Sequence, residues 1–495
     1  MKKQPTLFWA VLALFVCYFA YILYRACAIP VTHDESATAI LCLRNRTGQL
    51  INYSYVSGYI SGNNHILNSL SIRFFTRHLH GFSALNIRMG NLIAGAFYLW
   101  VGLMFVFRYF QSNWTRTLAC MVWVANPYAM EFFGLARGYG MSMALEALAI
   151  VSVARYYDTD SRKTGLRWLA IATLCAILAV WANFATLNFY LYFLPALLAL
   201  MWYKHRKINL EWLVPLAGTA VLYAICATPI AKIKKAGDFK FFGNASFWKD
   251  TVESFAECAL MGKPYLGAST NLIAGILLAA LVLLASAAAV NYWFKHQKSK
   301  EAVLWVWLVL LLPGTILVNI LIATFNHTSW LNTRTTLFYF PLLVFCLSGL
   351  IKSTLNGKHP AQKALIVLMI ALAGLHFLNV ANLVQAHEWR YDRDTFKALN
   401  YIEDCYWKEG RQEPYKLRVH CFQYPSFQFH TWVSKSRYHR YIQEEVQEVP
   451  YQFPDVINTE ADFYYITKAH FPAFAPNYKV LIELLDGEML LIRKK

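Results

Sequence analysis

The chain has 495 residues, 57% of them hydrophobic, against about half in an ordinary soluble domain, and the excess falls in separate runs rather than in one core. That pattern excludes a single soluble globular domain and describes a polytopic α-helical membrane protein. The net charge of +18 does not by itself argue for nucleic acid, because in a membrane chain lysine and arginine first set orientation and then meet anionic lipid phosphates.

Met1-Lys2-Lys3 precedes an apolar run, 7–29, that is too long for the core of a signal peptide and lacks a small-residue cleavage site, so it reads as an uncleaved anchor. Further runs of near-spanning length lie at 85–107, 117–133, 139–154, 166–183, 186–203, 210–230, 271–294, 302–323, 335–351 and 363–381, about eleven in all. With Lys2 and Lys3 inside, the connectors on that side contain Arg108 and Arg116, then Arg155, Arg162, Lys163 and Arg167, then Lys204, Arg206 and Lys207, then Lys295, Lys298 and Lys300, then Lys352, Lys358 and Lys363. Each short inside connector is basic, as the positive-inside rule requires. The substantial loops, 30–84 and 231–270, then face outward with the short turn 324–333 and everything after about 384. A site is expected on that side.

The first outer loop opens on Pro30-Val31-Thr32-His33-Asp34-Glu35, two adjacent acids where an apolar run meets water. One reading is local: hydrated carboxylates, with Thr32 and Glu35 forming a capping box. The other is a catalytic base at the mouth of a membrane enzyme. Short helices are expected after Asp34 and over 66–80, where Arg73, Arg77 and His80 share a face that is either solvated or a phosphate cradle. In 231–270, Lys232, Lys234 and Lys235 mix with Phe239, Phe241, Phe242, Phe247 and Trp248, which reads as an amphipathic gate on the membrane surface. Five cysteines fall inside apolar runs and read as small hydrophobes. Cys405 and Cys421 could form a disulfide if their region lies outside. After Trp389 the pattern changes, with strand-like stretches at 416–422, 463–467 and 480–492, a helical stretch near 396–403 and a turn at Gly487. The chain therefore divides into a transmembrane part, 1–384, and a small C-terminal α/β or α+β domain, 385–495.

The run His33-Asp34-Glu35, the loop Asn63-Asn64-His65-Ile66-Leu67-Asn68-Ser69, the element Ala136-Arg137-Gly138-Tyr139 and Arg334 together resemble the GT-C superfamily of membrane glycosyltransferases, in the branch of protein O-mannosyltransferases and bacterial aminoarabinose transferases. The resemblance covers roughly 1–350 by topology. It implies transfer of a sugar from a polyprenyl-phosphate donor to a lipid, glycan or protein acceptor at the outer face of a bacterial inner membrane, with no nucleic acid involved. Asp34 would be the base and Glu35 would orient acceptor or sugar. Arg137 and Arg334, with Arg73 and Arg77, would hold the donor phosphate, and His33, Asn63, Asn64, His65, Glu131 and Tyr139 would line the substrate site. Glu131 has a second reading, a plain ion pair with Arg137. His33, Asp34 and His65 could together hold a divalent cation, although their spacing is not diagnostic. With one base and no obvious nucleophile, the reaction expected is an inverting single displacement. The sequence departs from the family in reading Arg137-Gly138-Tyr139 where Arg-Pro-Tyr is usual, and in lacking a β-trefoil-like C-terminal module. The alternative from another class is a multi-pass transporter or lipid-carrier flippase, which the absence of paired halves disfavours.

Overall fold

The computed structural model describes residues 5–58, 60, 62–237, 243–296, 299–443, 447–449 and 461–495. The first helix, α1 (Pro5–Ala28), leads into three short helices, α2 (His33–Arg44), α3 (Thr47–Ile51) and α4 (Ile66–His78). The bundle continues with α5 (Ala84–Tyr109), α6 (Asn113–Val124), α7 (Pro127–Glu131), α8 (Gly138–Asp158), α9 (Arg162–Ala182), α10 (Leu187–His205) and α11 (Leu213–Ala236). It is completed by α12 (Ser254–Ala259), α13 (Thr270–Lys295), α14 (Lys300–Asn326), α15 (Tyr339–Thr354) and α16 (Pro360–Val380).

Among the described residues, eight helices are long and apolar enough to cross a membrane by length and composition. Three of the eleven expected spans fall outside that set for separate reasons. The run 117–133 is broken at Asn126-Pro127, where Asn126 caps the next helix by accepting from the Ala129 N–H at 2.8 Å. That leaves α6 with 12 residues, about 18 Å of rise against a hydrocarbon core of about 30 Å. Helix α15 has 16 residues. Helix α8 has 21 residues but carries Glu146 and Arg155 and is buried along most of its length.

The bundle is held by aromatic packing and close helix approaches. Trp123 packs on Tyr98 and edge-on to Phe345, with ring centroids 5.0 and 5.5 Å apart. A Cβ on Gly102 would lie 2.7 Å from the Trp123 ring. In lipid, where burial between helices gains little, such small-residue contacts supply the van der Waals attraction.

Beyond the bundle lies α17 (Thr395–Lys408) and a five-stranded sheet, β1 (Leu417–His420), β2 (Gln447–Val449), β3 (Phe463–Thr467), β4 (Tyr478–Leu484) and β5 (Met489–Lys494), with α18 (Tyr424–Gln428) between β1 and β2. The strand order is β2-β1-β3-β5-β4, with β1 parallel to β2 and β3 and the last three strands antiparallel. The 485–487 turn closes the β4–β5 hairpin, and Gly487 takes φ 89°, a backbone open to glycine at little strain. Cys405 and Cys421 do not form a disulfide with each other.

Candidate functional site

The site is built on the first turn of α2. Glu35 is fully buried and its carboxylate is saturated: Arg88 donates Nε to Oε1 at 2.8 Å and Nη2 to Oε2 at 2.7 Å, the Ala136 N–H donates to Oε1, and the Thr32 N–H donates to Oε2 at 2.9 Å. Arg88, also fully buried, spends its remaining donors on the carbonyls of Ala26, Ile29 and Pro30 at 2.8–3.0 Å. The pair therefore locks the end of α1, the start of α2 and the chain entering α8. Burial pushes the Glu35 carboxyl up, and the Arg88 charge and hydrogen bonds more than reverse this, holding it below its ordinary value. Glu35 has no lone pair left for a substrate, so the sequence-based role of orienting acceptor or sugar is corrected to a structural one.

Asp34 is arranged differently. Its Oδ1 accepts from Asn63 Nδ2 at 3.1 Å, while its Oδ2 makes no hydrogen bond among the described residues and lies 3.3 Å from Arg334 Nη2 and 3.7 Å from Arg137 Nη2. Burial pushes this carboxyl up, but Arg137 and then Arg334 outweigh it, and the group stays below the ordinary aspartate value. Arg137 is fully buried and donates to Thr38 Oγ1 at 2.8 Å, to the Asp34 carbonyl at 3.3 Å and to Asn63 Oδ1, with its Nε unpartnered among the described residues. Arg334 is 28% exposed, and its other face meets Glu388 at 3.5 Å and the Trp389 ring at 5.3 Å. The loop that carries Arg334 is buttressed by the segment after 243. Trp330 N–H donates to Gly243 O at 2.8 Å, Thr251 Oγ1 donates to Leu331 O at 2.6 Å, and Thr333 N–H donates to Ser254 Oγ at 2.6 Å. This part of the 231–270 loop is thus tied to the bundle rather than free as a gate. Phe239, Phe241 and Phe242 lie outside the described residues.

His65 is buried with its Nδ1–H donating to Ala182 O at 3.0 Å, which leaves Nε2 a bare lone pair with no partner among the described residues, and its ring packs 4.7 Å from that of Tyr139. Burial, followed by the Arg137 charge, holds this imidazole well below its ordinary value, in the neutral form.

Several other expected site residues are used elsewhere. Asn64 is consumed within its loop, donating to Leu50 O and Tyr55 Oη and accepting from Ser69 Oγ at 2.6–3.0 Å. Arg73 donates to the carbonyls of Cys42 and Asn45, satisfying groups that the end of α2 leaves open, so it caps a helix rather than cradling phosphate. Arg77 is exposed, off the site. Glu131 pairs with Arg25 of α1 and accepts from the His387 N–H at 2.7 Å, not with Arg137. His33 faces the C-terminal domain, its Nδ1 donating to Phe422 O at 2.7 Å. Among the described residues no three His, Cys, Asp or Glu side chains converge to hold a metal ion. The set His33, Asp34 and His65 is not assembled, because both rings turn to backbone carbonyls.

Sequence reasoning missed the return of the chain after α16. Glu388 and Trp389 flank Arg334, and Asp392 accepts from the His33 N–H at 2.7 Å. Burial pushes the Asp392 carboxyl well above its ordinary value, with only the His33 amide opposing. From α18 and beyond, Ser426 Oγ donates to Val31 O at 2.7 Å, and His430 Nε2 accepts from the Val31 N–H at 3.3 Å. The C-terminal domain therefore clamps the entry to α2, just ahead of Asp34.

No protein-family model matches the sequence, and no curated protein does. Solved structures do. ArnT from Cupriavidus metallidurans matches in its apo state with 12% identity over 97% of both chains and a TM-score of 0.52. The same protein bound to undecaprenyl phosphate matches with the same values, 12% identity, 97% of each chain and a TM-score of 0.52. The chain shares the fold of ArnT. The Archaeoglobus fulgidus oligosaccharyltransferase, in complex with Zn and sulfate, aligns over 86% of this chain and 61% of that one at 12% identity and a TM-score of 0.48, a likeness too loose to support an argument.

The glycine in Arg137-Gly138-Tyr139 has a steric cause. A Cβ on Gly138 would fall 1.8 Å from Ala182 O and 2.7 Å from the His65 side chain. Proline suits the first position of a helix by its φ, but neither it nor any other side chain fits between α8 and the Ala182 carbonyl. Glycine lets that carbonyl come close enough to orient His65.

Proposed function

We propose that the chain is an integral-membrane glycosyltransferase. It moves a sugar from a polyprenyl-phosphate carrier to a hydroxyl of a lipid, glycan or protein acceptor, on the outward face of a bacterial inner membrane. The observation that carries this reading is the Asp34 Oδ2 atom, a buried carboxylate oxygen without a hydrogen bond among the described residues, 3.3 and 3.7 Å from two guanidinium groups. Base and phosphate-holding cations lie within one small volume, as transfer from a glycosyl phosphate needs. The acceptor oxygen attacks the anomeric carbon, its proton passes to Asp34 Oδ2, and the anomeric C–O bond breaks toward the phosphate. Arg334 and Arg137 take up the charge that develops there. Inversion follows from a single displacement. The His65 Nε2 lone pair is placed to accept from a sugar hydroxyl. ArnT has been crystallised with undecaprenyl phosphate, which supports the same carrier here.

The arrangement also times the base. Without a carrier, both arginines stabilise the Asp34 anion and depress its basicity. A bound phosphate draws those cations away and adds negative charge nearby, both of which raise the proton affinity of Asp34. The base thus strengthens once the donor is seated. The test is undecaprenyl phosphate binding to purified wild type and Arg334→Ala: the reading requires the variant to bind at least tenfold more weakly, and equal affinity would remove Arg334 from the site.

A further inference from the structure

At the end of the bundle away from Asp34 the structure holds a cavity of about 490 Å³, lined by the 159–162 turn, Lys204, His205, Lys207 and Glu211 among others. Helix α8 runs from Gly138, next to Arg137, to Asp158, so the cavity lies about 30 Å from the proposed active site along that helix, one bilayer away. The cavity is formed where α8 gives way to α9 and α10 to α11.

Its charges are unequally committed. Of the two acids, Glu211 is buried, accepts from Tyr156 Oη at 2.8 Å and faces His205 at 3.2 Å, and Asp160 pairs with Lys300 at 3.1 Å. Lys204 donates to the Tyr156 and Thr159 carbonyls, which fixes its ammonium beside the cavity. Arg162 reaches Glu211 only at 3.9 Å with its side chain 69% exposed, and Lys207 is exposed. Both acids thus have protein partners, while Arg162 and Lys207 keep most of their donors turned to solvent. Beside these cations Ile208 and Leu210 stand 70% exposed and Leu213 60%. A basic pocket bordered by bare aliphatic side chains at the end of membrane-length helices matches an amphiphile with an anionic head and hydrocarbon tails.

We infer that this cavity binds the phosphodiester headgroup of an anionic phospholipid of the leaflet opposite the active site, with Arg162 and Lys207 on the phosphate and Ile208 and Leu210 against the acyl chains. Free phosphate shares the headgroup chemistry but would leave the aliphatic rim unused. The pocket is separate from the donor site, and its test does not depend on the transferase reading.

The full-length protein in detergent is titrated with dioleoylphosphatidylglycerol or dioleoylphosphatidylcholine, and retained lipid is counted by native mass spectrometry. Each basic contact is worth about fivefold in affinity. Arg162→Ala/Lys207→Ala should therefore lose phosphatidylglycerol by more than about tenfold, with phosphatidylcholine retention unchanged. Lys207→Glu, a change at an exposed position that folding tolerates, should show a loss of the same order. Lys358→Ala/Lys363→Ala, on basic residues of the same face outside the cavity, should retain wild-type binding. Equal loss in that control, or no selectivity between the two lipids, would overturn the inference. So would full displacement of phosphatidylglycerol by millimolar inorganic phosphate, which would make the pocket a site for the free anion.

Discussion

Asp34 and Glu35 are neighbours in sequence with opposite duties, and neutralising each in turn separates them. Glu35→Gln removes the charge from a bidentate pair at 2.7–2.8 Å whose partners are both fully buried, and one amide NH₂ would have to face Arg88 or the Ala136 N–H in place of an acceptor. Breaking a buried pair from one side costs about 3–5 kcal/mol, because the surviving charge stays in the interior. Asp34→Asn removes an anion that lies 3.3 and 3.7 Å from its cations without a hydrogen bond on that oxygen among the described residues, and one of those cations is partly solvated. The loss should be smaller, about 1–3 kcal/mol, because Arg137 keeps its hydrogen bonds to Thr38 and Asn63 and Arg334 keeps its contact with Glu388. Thermal unfolding of the two purified variants at one scan rate reads the difference. Glu35→Gln should melt several degrees below Asp34→Asn, or fail to accumulate folded. If Glu35→Gln melts with the wild type and is merely inactive, Glu35 is chemical rather than structural and the division of labour is wrong.

Three further outcomes follow from the same geometry. Since Asp34 is held below its ordinary value and must be unprotonated to act, and His65 is held neutral, kcat/KM should stay flat from about pH 5 to 8. An acid limb near pH 6.5 would point to a histidine base instead. By linkage, the depressed Asp34 pKa adds stability above the unfolded value of about 4, and that stability is lost as pH falls through the folded value. Arg73→Ala should lower thermal stability by about 1–2 kcal/mol through the exposed end of α2 while leaving undecaprenyl phosphate affinity unchanged, the reverse of Arg334→Ala. A tenfold affinity loss in Arg73→Ala would restore the phosphate cradle on α4. Gly138→Ala should abolish activity or folding, because its Cβ meets a backbone carbonyl at 1.8 Å. Wild-type turnover would show that α8 can move away from Ala182.

Much of the architecture was legible because it is local. The helix after Asp34, the helix over 66–78, and the strand Phe463–Thr467 follow from capping, amphipathic spacing and apolar alternation, which neighbouring residues encode. Asn63, Arg137 and Arg334, each carried by a motif, lie together around Asp34. What escaped was pairing at a distance. Arg88 meets Glu35 across 53 positions, and Asp392 meets the His33 amide across 359. Which residues face each other there depends on how helices pack, and periodicity does not encode that. One signal was available for Arg88, a charge one turn inside an apolar run, which in a bilayer needs a partner. The same reasoning explains Arg73 and Glu131. Arg73 was placed on the correct element, but a carbonyl at a helix end competes for its side chain as a substrate would; Glu131 was placed in the 117–133 span that breaks at Asn126-Pro127, and it meets an arginine on α1.

The most direct measurement is single-turnover transfer from a radiolabelled polyprenyl-phosphate sugar to envelope acceptors, by wild type and Asp34→Asn at saturating donor, with carrier affinity measured on the same samples. The account predicts a rate lower by about 10²–10⁴-fold in the variant with undecaprenyl phosphate still bound. Transfer at the wild-type rate by Asp34→Asn would contradict it.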